Sequence, residues 1–326
     1  MVKSKNQDFV MSEKASVAQS SFVRIKDIFK PFINAFRTPA GRIGLPLVIL
    51  HVLLAVFGSY LAPYSPTDFS DATYVRPFTS AIEGSIPHIL GTDQFGRDVF
   101  SRLLSGARSI ILISAIGSIL GVALGTAIGM TSGYLGGKAD EIIMRIADGL
   151  MSFPSLLLAL LVLSVSDTLV WLDGVSSVFA TGKESILVIG TMAIVHAPRV
   201  ARVLRSATLT IKTQEYVDSA RLRGESAYYI IFKEILPNAL PVLAVEGSVR
   251  FSYAILLASS LGFLGLGVEP PSPDWGAMIS DSRSILTRAP WVPLAPAAAV
   301  ASLVVGVNLL TEGIRDAQKL PTELPE

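Results

Sequence analysis

The stretch 109–130, SIILISAIGSILGVALGTAIGM, decides the fold of this 326-residue chain. No charged side chain occurs anywhere in it. A helix of about 20 residues crosses the hydrocarbon core of a bilayer, which is roughly 30 Å thick. The stretch therefore predicts a membrane-spanning helix, with the rest of the chain arranged around it in a bilayer.

The composition agrees with a membrane protein and excludes several other classes. Hydrophobic residues make up 51% of the chain and charged residues only 16%, whereas soluble domains carry about 25% charged residues. A net charge of +1 provides no basic surface for nucleic acid. The chain has no cysteine and three histidines, which excludes disulfides and thiolate metal sites and leaves few ligands for any metal.

Five further apolar segments lie before and after this helix in the chain, at 43–62, about 146–166, about 185–204, about 247–268 and 291–311. The segment at 185–204 is the weakest, because its uncharged part, 185–198, is short for a span and is followed by Arg199 and Arg202. We place both arginines at the helix end, where they cost little; the alternative is a re-entrant or interfacial segment. The sequence thus predicts an all-α polytopic membrane protein with six transmembrane helices.

The distribution of lysine and arginine predicts the orientation of the six spans. With the N-terminus inside, 19 of these residues fall on the cytoplasmic side and seven in the outer loops. Cytoplasmic loops carry the excess of positive charge, so we expect both termini in the cytoplasm.

These spans divide the chain into five predicted parts. A cytoplasmic tail with an interfacial helix is followed by the first span, an external loop that ends in an amphipathic surface helix (96–108), a five-helix core that includes the cytoplasmic loop 205–240, and a short tail. The long external loop is a candidate docking surface for an outside partner. The boundaries are 1–42, 43–62, 63–108, 109–315 and 316–326.

A glycine recurs at every fourth position of the second span, which builds a flat stripe for close contact with another helix. The stripe predicts either simple tight packing within the bundle, which we favour, or a helix that lines a moving interface. Its members are Gly117, Gly121, Gly125, Gly129 and Gly133.

Polar residues in or near the spans are few, and the sequence scatters them over four spans: His51, His196, Glu246, Arg250 and Asn308. We interpret them as interhelical and helix-end hydrogen bonds. A self-contained secondary transporter, the main alternative function, would need a relay of such groups and usually an internal repeat, and neither is evident. A membrane-embedded enzyme would need clustered catalytic or metal ligands, so we predict no catalytic or metal site.

The chain has no motif for binding the phosphates of ATP. That motif ends in Gly-Lys-Ser/Thr, whereas the two Gly-Lys pairs here continue as Gly137-Lys138-Ala139 and Gly182-Lys183-Glu184. The chain therefore cannot use that ATP chemistry by itself.

The most informative loop is QEYVDSARLRGESAYYIIFKEILPNALP, 214–241. Gly224 divides it into two predicted short helices, and Pro237 is expected to end the second. The loop presents two acidic residues, Glu215 and Asp218, and an apolar stripe toward the cytosol. An interfacial helix on lipid, the alternative, would be basic without acidic residues. The stripe consists of Tyr228, Ile231, Phe232 and Ile235.

This loop resembles the signature of the inner-membrane permeases of ATP-binding-cassette (ABC) importers. That signature is Glu-Ala-Ala, a spacer of three, Gly, and then a Leu-Pro pair at a fixed distance after the Gly. Here Asp218-Ser219-Ala220, Gly224 and Leu236-Pro237 keep the spacing, with Asp in place of Glu and Ser in place of Ala.

Three other stretches look like the C-type permease subunit of the dipeptide/oligopeptide branch, whose members also move nickel chelates and opines. They are HILGTDQFGRDVFSRLLSGAR (88–108), GYLGGKADEIIMRIADGLMSFPSLLLAL (133–160) and SLGFLGLGVEPPSPDWGAMI (260–279). The motifs occur in the family's order and touch most of the chain from 88 to 315.

The resemblance implies the type I ABC importer permease fold in a bacterial or archaeal cytoplasmic membrane. It implies a subunit that forms half of a translocation pathway for short peptides or similar solutes. The partners would be a homologous permease, two cytoplasmic ATPase subunits or domains that bind ATP and Mg²⁺, and an external solute-binding protein. The chain itself would hold no cofactor. Its ATPase-coupling residues would be Glu215, Asp218, Ser219, Ala220, Gly224, Tyr228, Ile231, Phe232, Ile235, Leu236 and Pro237.

The six-span topology is tested with reporters fused or inserted along the chain. Reporters at positions 75, 175 and 282 should read outside, and reporters at 138, 220 and 322 should read inside, because the basic loops stay in the cytoplasm. An inside reading at position 175 would contradict the six-span topology.

Overall fold

The computed structural model describes residues 35–69, 72–80, 86–164, 182–268 and 271–319. Over these ranges the chain is helical, without a β-strand. The expected interfacial helix near the N-terminus and most of the loop after the third span lie outside the described residues. The helices are α1 (Pro39–Leu61), α2 (Val99–Leu135), α3 (Gly137–Ser152), α4 (Ser155–Ser164), α5 (Lys183–Ile211), α6 (Glu215–Leu222), α7 (Ala227–Phe263), α8 (Trp275–Ser282) and α9 (Trp291–Lys319).

Five of these helices, α1, α2, α5, α7 and α9, are long and apolar enough to cross a membrane. The predicted third span differs, because α3 and α4 meet at an angle of 95°. The bend lies at Phe153 (φ −80°, ψ 136°), directly before Pro154. A proline disfavours helical backbone in the residue before it, which explains the break. With the bent pair counted as one span, the described chain has the six spans predicted.

The expected surface helix at 96–108 is wrong as a separate element. From Val99 onward these residues form the first turns of α2, a single helix of 37 residues. Asp98 caps it by accepting a hydrogen bond of 2.7 Å from the backbone N–H of Ser101. The neighbouring Arg97 and Arg102 are buried beside Asp93, at 2.7 and 4.0 Å. This start is therefore held by the folded outer loop and not by lipid headgroups.

Two expected helix ends also differ in the structure. Pro237 does not end the second loop helix, because α7 runs from Ala227 through Phe263 as one element. Its residues Ile230–Ile235 form a π-helical turn just before the proline. Proline lacks the N–H that an α-helix needs, and a widened turn is one way to accommodate the missing bond. Likewise α5 continues to Ile211, so Arg199 and Arg202 lie within the helix and not at its end.

The glycine stripe of α2 packs against α5 of the same chain. All five glycines are buried. A Cβ atom added at Gly129 would lie 2.2 Å from the carbonyl oxygen of Ala201, and one at Gly125 would lie 2.5 Å from that of Ala197. Both distances are to backbone atoms, which cannot move aside as the end of a side chain can. A larger residue at Gly125 or Gly129 would therefore push the two helices apart.

The contact between α2 and α5 predicts different effects for two Gly→Ala substitutions. Gly129→Ala should lower the stability of the purified protein by about 1–3 kcal/mol, because an extra carbon overpacks the α2–α5 contact. Gly190→Ala, at a helical glycine with open space around it, should be neutral or stabilising. Thermal unfolding in detergent measures both; equal melting temperatures would contradict the packing argument.

Candidate functional site

Helix α6, in the loop between the fourth and fifth spans, packs closely against the membrane-spanning helices. Val217 and Ala220, on its inner face, are fully buried. They join an apolar cluster with residues of α2, α5 and α7, namely Met130, Val200, Leu204, Ile230, Ile235 and Ala239. Burial of Val217 and Ala220 in this cluster fixes the position of α6 relative to three of the membrane-spanning helices.

The outer face of α6 is polar except at one position. Glu215, Asp218 and Ser219 are exposed, and Asp218 forms an ion pair of 2.9 Å with Arg221 on the same helix. Leu222 is 90% exposed, which is unusual for a large apolar side chain on an ordered helix. The sequence analysis missed it, although positions 215, 218, 219 and 222 have the spacing of a single helical face.

The turn between α6 and α7 depends on a glycine. Gly224 has a φ of +79°, in the left-handed region that other residues adopt at a cost. Its N–H donates to the carbonyl of Arg221 (2.9 Å) and the next N–H donates to that of Ala220 (3.2 Å). Ser226 then caps α7 by accepting a hydrogen bond of 3.2 Å from the N–H of Tyr229.

The predicted apolar stripe divides into two parts. Tyr228 and Phe232 are 72% and 45% exposed, and their rings lie 4.5 Å apart. Ile231 is half-buried, and Ile235 is fully buried in the cluster that seats α6. Expecting all four to face a partner was therefore wrong for Ile235. The π turn changes the angle between successive side chains. Residues that would share one face of a regular α-helix therefore point in different directions here, Tyr228 and Phe232 outward and Ile235 inward. Leu236 and Pro237 are half-buried.

The loop also contains ion pairs between its own residues. Arg223 lies 3.8 Å from Glu225 and 3.7 Å from Glu234. Burial, together with the negative charge of Glu234, raises the pKa of Tyr216 above its ordinary value. The loop thus presents charges of both signs, aromatic rings and one exposed leucine, and two of its three exposed basic residues, Arg221 and Arg223, are paired with carboxylates of the loop.

A buried ion pair ties α3 to α5 near this loop, and the sequence analysis did not anticipate it. Arg205 donates from Nε and Nη2 to the two carboxylate oxygens of Asp140, at 2.6 and 2.5 Å. Ser132 donates to the same carboxylate, and Lys212 donates to the carbonyl of Gly133 at 2.7 Å. A fork of two parallel hydrogen bonds fixes both distance and orientation.

The recognised motif at 88–108 has a structural role at the other end of the molecule. His88 and Asp98 are both buried and lie 2.8 Å apart, and Tyr64 stacks on the imidazole at 4.6 Å. Gly91 (φ +71°) lets the chain pass the carbonyl of Val75, which an added Cβ would approach to 2.2 Å. These contacts fold the described part of the outer loop into an ordered cap.

The motif at 260–279 completes this cap. The buried Trp275 donates its indole N–H to the carbonyl of Leu103 at 2.9 Å. Asp274 caps α8 through the N–H of Ala277 at 2.8 Å, and burial raises the pKa of its carboxyl. An added Cβ at Gly262 would lie 2.1 Å from the Asp274 carboxylate, so the absence of a side chain at Gly262 leaves the room that this carboxylate occupies.

The polar groups within the spans are not all scattered. His51 makes the expected interhelical contact, with Nε2 3.2 Å from the hydroxyl of Ser302 on α9. Glu246 and Arg250 form an ion pair of 2.8 Å within α7, and His196 is buried on α5, where its Cβ lies against Gly121 of α2. Asn308 is exposed and lines a polar cavity beside Glu312 and Arg315. In the described chain no three His, Asp or Glu side chains are grouped so as to hold a metal ion.

Comparison with known proteins agrees with this polytopic helical fold. The family model described as binding-protein-dependent transport system inner membrane component matches residues 121–319. The chain belongs to this family, the permease subunits of ABC importers. It is thus an inner-membrane transport subunit that is not itself catalytic.

Three relatives match nearly the whole chain. The glutathione transport permease GsiD of Pectobacterium atrosepticum is 36% identical over 93% of this chain and 96% of its own. The di/tripeptide permease DppC of Pseudomonas aeruginosa is 35% identical over 88% and 90%. The dipeptide permease DppC of Escherichia coli K12 is 36% identical over 86% and 89%.

The fold is also similar to a solved structure. A chain of the MetNI methionine ABC transporter, crystallised in inward-facing conformations, aligns with a TM-score of 0.50 at 19% identity. The alignment covers 67% of this chain and 95% of that chain. The expected permease fold is therefore confirmed.

The Asp140–Arg205 pair predicts a measurable loss when one partner is neutralised. Asp140→Asn should lower the stability of the purified protein by about 1–3 kcal/mol, because it removes a charged acceptor from a half-buried guanidinium. Glu141→Gln is the matched control, since its pair with Arg145 is 59% and 77% exposed and contributes little. Thermal unfolding in detergent compares them, and equal shifts would contradict a clamping role for Asp140.

Proposed function

We propose that this chain forms half of the translocation pathway of an importer for short peptides or similar small solutes. The support is that relatives matching 86–93% of the chain at 35–36% identity are permeases for dipeptides, di/tripeptides and glutathione. Solute would cross between this subunit and a homologous permease, driven by ATP hydrolysis elsewhere in the complex.

The observation that carries the proposal is the rigid seat of the cytoplasmic loop. α6 presents an acidic outer face while its inner face is locked into α2, α5 and α7 by Val217 and Ala220. A force applied to the outer face would therefore reach three membrane helices together. A permease without its own nucleotide site requires such a lever, because its energy comes from another polypeptide.

The implied partners fit the surfaces of the chain. Two ATPase subunits or domains, which bind the ATP and Mg²⁺, would contact α6 together with Tyr228 and Phe232. The homologous permease would cover part of an apolar groove of about 700 Å³ between α2 and α7. An external solute-binding protein would dock on the ordered cap built from the outer loop. In this arrangement both termini lie in the cytoplasm, with the boundaries given above.

The coupling role predicts specific defects at two positions. Asp218→Lys reverses an exposed charge, and Gly224→Val forces a β-branched residue into the left-handed region at φ +79°. Both variants should insert and assemble with the partner permease. They should bind the ATPase more weakly, by about 2–5 kcal/mol if a desolvated pair is lost, and abolish uptake. Copurification of the ATPase and uptake into vesicles are the two measurements.

Conservative variants are the controls for this experiment. Asp218→Glu keeps the charge, and Gly224→Asn tolerates a positive φ, so both should retain most ATPase binding. Wild-type uptake with wild-type ATPase copurification in Asp218→Lys and Gly224→Val would refute the coupling assignment. Mass spectrometry of the ligand that copurifies with the external binding protein tests the peptide assignment separately.

A further inference from the structure

A cavity of about 540 Å³ lies where the ends of three apolar helices meet. Its walls come from the end of α4, the first turns of α5 and the two residues Gly265 and Leu266, just after α7. In the orientation proposed above, these are the outer ends of the spans, on the side from which a solute enters. The volume lies within the range of about 300–1,000 Å³ that is typical of small-molecule sites.

The walls of this cavity are mainly apolar. They include four leucines, and Gly265 has open space beside it, since an added Cβ there would meet nothing within 4 Å. The described polar residues in the wall are few. The leucines are Leu160, Leu163, Leu187 and Leu266, and the polar residues are Ser164, Lys183 and Glu184.

Glu184 is the polar wall residue with unused hydrogen-bonding capacity. The hydroxyl of Ser164 donates to the carbonyl of Leu161 at 2.8 Å, and Lys183 takes part in an interaction of its own. Oε2 of Glu184, in contrast, is buried and accepts no hydrogen bond from the described chain. Buried polar atoms are nearly always hydrogen-bonded. The last torsion of a glutamate side chain is broad and roughly two-fold, so either oxygen can face the cavity.

The position of Glu184 favours a negative charge at this wall. The residue lies in the first turn of α5, where the helix dipole stabilises a carboxylate. The group that suits it is a cation with N–H donors, which forms a charge-assisted hydrogen bond. A divalent metal would need several oxygen ligands, and the described chain groups no three His, Asp or Glu side chains. A primary ammonium on a partly apolar molecule therefore fits both the carboxylate and the leucines.

We propose that Glu184 is an ammonium subsite that binds the N-terminus of a peptide at the outer end of the spans, with an apolar side chain of the peptide against the leucines. The proposal rests on the peptide-import function. Every unblocked linear peptide begins with an ammonium group, so this contact serves peptides of varied sequence. The lipid phosphatidylethanolamine carries the same group, and the experiment separates the two sources.

The test uses thiol labelling, because the chain has no cysteine. Ser164→Cys places a single thiol of this chain in the cavity wall. The transporter complex, in nanodiscs of phosphatidylcholine and phosphatidylglycerol, is treated with a maleimide at increasing concentrations of dialanine or of N-acetyl-dialanine, which lacks the ammonium. Dialanine should slow the labelling, and N-acetyl-dialanine should not. Adding Glu184→Gln should raise the dialanine concentration for half-protection about tenfold or more, because a hydrogen bond to a charged group is lost.

Two further variants are the controls. Glu184→Asp keeps the charge and should retain most of the protection. Glu312→Gln neutralises an exposed glutamate in the separate polar cavity beside Asn308 and should leave protection unchanged.

The outcomes are distinct. No protection by dialanine, equal protection by both peptides, or protection that Glu184→Gln leaves unchanged would overturn the ammonium subsite. Protection in nanodiscs that contain phosphatidylethanolamine, with no added effect of dialanine in either lipid, would assign the site to lipid and also overturn it. Failure of the complete wild-type transporter to take up dialanine would instead count against the peptide-import function, since the labelling reports on the subsite alone.

Discussion

The contact between α2 and α5 is the constraint on which the rest of the molecule depends. Five glycines let the two helices approach closely, and at Gly125 and Gly129 the backbone carbonyls of α5 lie where a Cβ of α2 would be. At the cytoplasmic end this contact continues into the cluster that seats α6 and into the fork from Arg205 to Asp140. With larger residues in the stripe, Met130 and Leu204 would separate, and the seat for Val217 and Ala220 would open.

This arrangement links the cytoplasmic loop to the interior of the membrane through one continuous element. α5 contributes Val200 and Leu204 to the seat of α6, and the same helix carries Arg199 directly before Val200 and His196 about one turn before it. A helix transmits displacement along its axis with little loss, because its backbone hydrogen bonds resist stretching. Movement of α6 would therefore reach the buried part of α5 around His196 without any additional connecting residue.

The sequence was sufficient for the features that depend on local chemistry. Uncharged length predicted the spans, the spacing of four residues predicted a glycine face, and the motif around Asp218 and Gly224 predicted the family. It was insufficient where tertiary contacts decide the outcome. The π turn moved Ile235 into the core, the buried Asp93 held Arg97 just before α2 and Arg102 within it, and Arg205 and Asp140 paired from positions 65 residues apart. None of these contacts leaves a periodic signal in a single sequence.

The two helices α5 and α7, which both contribute to the seat of α6, differ in stiffness, and this difference bears on how the loop acts. α7 has prolines at 237 and 241 directly after its π turn, so two successive helical turns each lack one N–H donor. α5 contains one proline, at 198, and is held along α2 by the glycine contact. Missing backbone hydrogen bonds make bending easier. The lower part of α7 is nevertheless packed into the cluster that seats α6, through Ile230, Ile235 and Ala239. A push on the loop should thus move α6 and this packed part of α7 together, while α5 stays held along α2.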